Sequence, residues 1–307
     1  MRSLYPSVVS RLISPLLVAI AALIFAACDT APTVTPVPPT PTSPPPTATK
    51  APTETPTLAP SATPTTAATS TPTAIPAAER EFVPVLCYHH IRDWEASDTE
   101  DDRAYIVPPA TLEEELKWLH DNGYTSVSAE QVYDYEINGL PLPPKPIMLS
   151  FDDNDDNQWT YARPLLDKYG FKGVFFIMTV TIDKENYMTA DQLKQLDAEG
   201  HDIEPHTWDH HMVTDYTTDD DWQQQIVEPK KTLEDLLGHP TPFFAYPFGV
   251  YDAEATQKLE AFGYKGAFRL AEVMDDSVKP QYALERRIAN SYWTMDQFET
   301  VVTGGWE

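Results

Sequence analysis

The chain has 307 residues, with 47 acidic against 21 basic side chains and a formal charge of −26 at pH 7. Nucleic acid and anionic membrane are poor partners for a surface of that sign. Two cysteines in the whole chain exclude a scaffold built on disulfides.

Arg2 and Arg11 flank an apolar stretch over residues 16–26, too short for a comfortable membrane span, that ends in small residues before Cys28. Residues 1–28 therefore read as a signal peptide. Phe25-Ala26-Ala27-Cys28 resembles the bacterial lipobox, with Phe25 where leucine is usual. That resemblance implies an exported protein held to the cell membrane through a lipidated Cys28 and facing the extracellular or cell-wall side. Residues 29–78 follow, almost entirely Thr, Pro, Ala and Ser from Thr30 onward, with 14 of the chain's 30 prolines. Such a segment cannot bury a core and reads as a disordered stalk, on the order of 100 Å long at about 3.1 Å per residue.

Residues 79–307 are enough for one sizeable domain, expected to be monomeric. With Arg2, Arg11, Lys50, Asp29 and Glu54 set aside, it keeps 18 basic and 45 acidic residues, about −27. Once Cys28 is given to the lipid, Cys87 is left alone in an apolar run, where it reads as packing. Strand-like runs at 83–87, 147–151, 173–177, 202–204, 243–246, 265–268 and 287–289 alternate with helical stretches. Thr111 with Glu114, Ser128 with Gln131 and Thr189 with Gln192 match capping boxes that start helices. Gly123, Gly170, Gly200 and Gly263 stand where helices end in a left-handed residue. The alternation implies right-handed parallel crossovers, hence an α/β sheet or barrel with its chemistry at the C-terminal strand ends.

Ile147-Met148-Leu149-Ser150-Phe151 follows a proline-rich stretch and ends in Asp152 and Asp153. In a regular strand these two carboxylates point to opposite faces, so both serve one site only if the strand breaks there. The turn-like Asn154-Asp155-Asp156-Asn157 permits that break. It is not a calcium loop, because Gln158 stands at the sixth position and Pro164 at the twelfth. His206-Thr207-Trp208-Asp209-His210 supplies two histidines at i and i+4, which share a face of a helical turn, and Pro205 suits a helix start. Two imidazoles, one carboxylate and water are the ligand set of a catalytic zinc site.

Together with Phe244-Ala245-Tyr246-Pro247-Phe248-Gly249, Pro84-Val85-Leu86-Cys87-Tyr88-His89-His90 and Leu284-Glu285-Arg286-Arg287-Ile288, these motifs resemble the polysaccharide deacetylases of carbohydrate esterase family four. They resemble most the branch acting on poly-β-1,6-N-acetylglucosamine. The resemblance covers residues 82–300 and implies a distorted (β/α)7 barrel and metal-dependent hydrolysis of N-acetyl groups. It assigns Asp152 as general base, Asp153, His206 and His210 as metal ligands, and the Phe248 backbone N–H to the oxyanion. The cation is a divalent metal, with zinc first and nickel, cobalt or iron admitted by the same donors.

Three positions depart from the family pattern. Asn154 stands where glycine is usual, Pro205 stands where a small or polar residue precedes the first histidine, and Ala245 stands where an arginine often orients the base. Arg287, with Arg286 as the alternative, is therefore expected to pair with Asp152. No histidine follows His239, so the acid for the leaving amine is expected from His89, the choice over His90 resting on the resemblance. Alternation at the end of a strand lets at most one of His89 and His90 reach the site. The implied substrate is a β-linked N-acetylglucosamine polymer. Its product gains ammonium groups, which suits the negative charge. O-deacetylation of a xylan-type polymer is the competing enzyme reading. A silent carbohydrate-binding module is the non-enzymatic one, in which about two of Trp94, Trp159, Trp208, Trp222, Trp293 and Tyr251 would stack on sugar.

Overall fold

A computed structural model describes residues 73–270 and 278–305. The expected signal peptide, Cys28 and the stalk up to residue 72 lie outside them. Among the described residues no helix is long and apolar enough to cross a membrane. Contacts with the barrel begin before residue 79, because the Ile75 N–H donates to the Gly139 carbonyl at 2.8 Å.

The described residues form nine strands: β1 (Val85–Tyr88), β2 (Thr125–Ser126), β3 (Pro146–Asp152), β4 (Val174–Ile177), β5 (Asp202–Pro205), β6 (Phe243–Ala245), β7 (Gly266–Arg269), β8 (Leu284–Glu285) and β9 (Arg287–Ile288). One parallel ladder runs β5-β4-β3-β1-β9, with β2 beside the start of β3, and a second runs β6-β7-β8. A single residue, Arg286, carries the chain from β8 to β9, so one short strand is shared between the two ladders. On the other side β5 and β6 have no ladder. There the buried Glu204 accepts the Phe243 N–H at 2.9 Å and bridges the seam. The result is a distorted (β/α)7 barrel.

Strand alternation sorts the side chains. Ile147, Leu149 and Phe151 face outward into a core shared with Leu112, Leu116 and Leu119 of the helix Pro109–Asp121 and with Leu166, Leu193 and Leu233 of later helices. Each such leucine, fully buried, contributes about 1.5–3 kcal/mol. Val85, Met148, Val174, Phe176, Phe268 and Leu284 fill the barrel interior. On that inner face, nearer the C-terminal ends, come Cys87, Ser150, Asp152 and Arg286, so the centre of the barrel turns polar where the strands end.

Local starts and stops follow the sequence in most places. Ser128/Gln131 and Thr189/Gln192 form capping boxes, and Gly123, Gly170, Gly200 and Gly263 all have positive φ. Thr111 does not cap. Its helix begins two residues earlier at Pro109, whose fixed φ and missing N–H suit the first helical position.

Candidate active site

β3 ends at Asp152, and Asp153 and Asn154 take left-handed φ of 80° and 68°. That break swings both carboxylates toward one cavity of about 440 Å³ at the C-terminal strand ends. Asn154 holds this conformation because a short amide side chain tolerates it. Its buried Nδ2 donates to Thr181 Oγ1 at 2.9 Å. The residue that departs from glycine thus keeps glycine's backbone and adds an anchor.

His206 and His210 are brought together without a helix. β5 ends at Pro205, and a turn follows in which Thr207 and His210 have φ of 67° and 69°. The His210 N–H donates to Thr207 Oγ1 at 2.8 Å, and Gln225 holds the turn from outside, accepting the Trp208 N–H at 3.2 Å. The expected helical turn is therefore wrong, although the ring centroids do meet at 4.9 Å. Left-handed φ at a β-branched threonine is costly, and with Asp153, Asn154, His210 and Phe248 it makes five of the eight non-glycine positive φ values among the described residues. Backbone strain is concentrated around this cavity.

The donor set fits a divalent cation. His206 Nδ1–H donates to the Ala245 carbonyl at 2.7 Å, which leaves the Nε2 lone pair facing Asp153. His206 Nε2 and His210 Nε2 each lie 3.6 Å from Asp153 Oδ1, close to the spacing of about 3.3 Å that two donors take around a tetrahedral zinc. His206 Nε2 and Asp153 Oδ1 are buried with no hydrogen-bond partner among the described residues. Burial pushes the Asp153 carboxyl up to about 6 and the His206 imidazole down to about 3. Both shifts oppose an ion pair between them. Lone pairs converging in this way are what a cation satisfies.

Asp152 is held apart from this set. Its carboxylate takes two hydrogen bonds from Arg286, Nη1 to Oδ1 at 2.6 Å and Nη2 to Oδ2 at 2.8 Å. Burial alone would raise its pKa, but the Arg286 charge, with His206 behind it, overcomes this and holds the carboxyl well below the usual range. The expected partner, Arg287, is not involved. Alternation turns Leu284 and Arg286 inward and Glu285 and Arg287 outward, so Arg287 meets Glu285 at 3.2 Å instead. Ser150 Oγ and the Cys87 thiol complete the surroundings, the latter donating to Asp152 Oδ2 at 3.4 Å. Cys87 thus touches the Asp152 carboxylate as well as packing.

β1 ends at Tyr88, so alternation no longer governs the next two residues, and both His89 and His90 line the cavity. This corrects the expectation that only one would reach it. Burial lowers the pKa of His89. His90, half-exposed, meets Asp155 at 2.9 Å through Nδ1. Gln158 ties the two chemical strand ends together, its Nε2 donating to the His89 carbonyl at 2.9 Å and the Asp152 carbonyl at 2.5 Å. Sequence reading missed Gln158 and Gln225, because a neutral amide has no charge or spacing that marks it. The Phe248 ring lies edge-on to His210, with centroids 4.5 Å apart, and its backbone has φ 57° in the tight turn Pro247–Gly249. Gly249 is needed there. Its φ is 69°, and a Cβ on it would lie 2.2 Å from the Leu270 nitrogen.

Residues 139–267 match the family model for polysaccharide deacetylase. The YxkH protein of Bacillus subtilis, which carries a polysaccharide deacetylase designation, is 28% identical over 204 residues, covering 66% of this chain and 70% of that one. The poly-β-1,6-N-acetyl-D-glucosamine N-deacetylase of Escherichia coli K12 is 24% identical over 228 residues, covering 60% of this chain and 33% of that longer protein. The deacetylase PplD of Streptococcus pyogenes, solved in complex with acetate, superposes with a TM-score of 0.64 at 25% identity, over 72% of this chain and 97% of its own. With the barrel around them, residues 139–267, which hold Asp152, Asp153, His206 and His210, are a polysaccharide deacetylase domain.

Proposed function

We propose that this enzyme hydrolyses N-acetyl groups of a β-linked N-acetylglucosamine polymer with one divalent cation, zinc first among candidates, held by Asp153, His206 and His210. The observation that carries this reading is the convergence of those three donors, all within 4.8 Å of one another, beside a carboxylate kept separate by Arg286. A bound cation supplies Lewis acidity, which polarises the acetamide carbonyl and lowers the pKa of the attacking water, an effect worth several kcal/mol. Asp152, kept ionised by Arg286, accepts that water's proton. The Phe248 N–H donates to the oxygen on which negative charge develops. His89 delivers the proton that the amine needs as it leaves, since an amide nitrogen is expelled poorly without one.

The poly-N-acetylglucosamine specificity named for the E. coli relative supports an N-acetylated polymer as substrate here. The apolar stretch before Cys28 and the Thr/Pro-rich residues 29–78 support an exported, lipid-anchored protein whose catalytic domain works at a distance from the membrane. Acetate release from a panel of N-acetylated and O-acetylated polymers tests the reading. Release from the N-acetylated members is expected, and release from acetyl xylan alone would overturn it.

A further inference from the structure

Six aromatic rings stand exposed among the described residues, and four of them, Trp94, Tyr105, Phe248 and Tyr292, lie on or against segments that contribute the cavity wall. Tyr105 and Phe248 line the cavity itself, edge-on to His89 and His210. Trp94 and Tyr292 lie just outside it, on the loops that follow β1 and β9, strands that pair in the sheet. Their centroids are 5.5 Å apart, and they are 40% and 45% exposed.

The polar tip of each ring is engaged by a backbone carbonyl. Trp94 Nε1–H donates to the carbonyl of Ile106, a residue of the cavity wall, at 2.9 Å, and the Tyr292 hydroxyl donates to the Glu100 carbonyl at 3.1 Å. Arg92 gripping Asp98 through two bonds of 2.9 and 2.8 Å fixes the loop that carries Trp94. Arg103 lies over the Trp94 ring, 5.3 Å from its centroid, and the ring surface left accessible beside it is apolar and fixed in orientation, so little rotamer freedom is lost when something stacks on it. A β-linked pyranose carries its substituents equatorially and presents axial C–H groups on its faces, which suits an aromatic face.

We propose that Trp94 and Tyr292 form a subsite for a second sugar ring of the polymer whose acetylated residue occupies the cavity. The proposal rests on the polymer reading above. Of the six aromatics considered from sequence, Trp94 alone is exposed, and Trp208 is half-buried in the turn between His206 and His210. Trp222 is buried, Trp293 and Trp159 pack on the core, and Tyr251 stacks on Tyr246.

The test compares acetate release from the methyl β-glycoside of N-acetylglucosamine, which has a single ring, and from the β-linked N-acetylglucosamine hexamer for wild type, Trp94→Ala, Tyr292→Ala and Trp94→Phe, with calorimetric binding of both alongside. For either alanine variant the preference for hexamer over the single ring in kcat/KM should fall roughly 3- to 10-fold, the loss lying in KM, with Trp94→Phe restoring most of it. Equal losses on the single ring and the hexamer would show that the rings only brace their loops and would overturn the subsite. No loss on either would do the same. A wild type that binds hexamer in preference to the single ring, and loses that preference with the alanine variants, yet releases no acetate, would refute the deacetylase reading and keep the subsite.

Discussion

Arg286 grips Asp152 in a fork of two hydrogen bonds, 2.6 and 2.8 Å long, with both side chains wholly buried. Removing one partner of such a pair leaves an uncompensated charge, at a cost of about 3–5 kcal/mol. Arg286→Ala should therefore lower both stability and turnover. Arg286→Lys should keep part of the stability but lose the fork, and with it the orientation of the base. Arg287→Ala, which touches an outward cation, should change unfolding free energy by less than about 0.5 kcal/mol and leave kcat in place. Denaturant titration and steady-state kinetics of the three variants check this.

The arginine shows what the sequence held and what was overlooked in it. Alternation from the apolar Leu284 places Arg286 on the inner face, and counting in twos would have chosen it over Arg287. Asp152 and Asp153 were legible because an apolar strand ends abruptly in two acids. The histidine pair was legible as a pair but not in its geometry. Spacing of i and i+4 suggests a helix, whereas two left-handed residues at Thr207 and His210 make a turn that no local propensity announces. The same holds for His89 and His90, where the end of β1 at Tyr88 was one residue beyond what the apolar pattern showed.

The two adjacent acids should separate cleanly in function. Asp153→Ala removes one of three donors and should abolish metal retention, measured by elemental content after gel filtration. Asp152→Asn keeps the donor set and should retain the metal while kcat falls by about 10²–10⁴. Equal metal loss in both variants would contradict the division of roles.

His89→Ala should slow amide hydrolysis far more than hydrolysis of an activated aryl acetate, whose leaving group departs without a proton. Metal content should not change. If His90→Ala lost amide hydrolysis while His89→Ala kept it, the acid would belong to the His90–Asp155 pair instead.

Glu115 gives a stability prediction remote from the chemistry. It is buried, accepts the Tyr88 hydroxyl at 2.9 Å, and is pushed by burial from its ordinary 4.5 up to about 8. Between those values the folded chain keeps a proton that the unfolded chain has lost, so stability falls as pH rises from about 4.5 to about 8. Glu115→Gln keeps the acceptor for Tyr88 and removes the titration. Its Tm should exceed that of wild type at pH 8, with the advantage shrinking toward pH 5. Parallel Tm curves for the two proteins would contradict the assignment.

On the proposed reading, one cation at Asp153, His206 and His210 is required for Asp152 to drive deacetylation. That requirement is tested most directly by titrating zinc into chelator-treated protein while acetate release from poly-N-acetylglucosamine is followed. Release should rise from baseline and saturate at one equivalent per chain, with no rise for Asp153→Ala at the same additions. Full release from the chelated protein before any zinc is added would contradict the account.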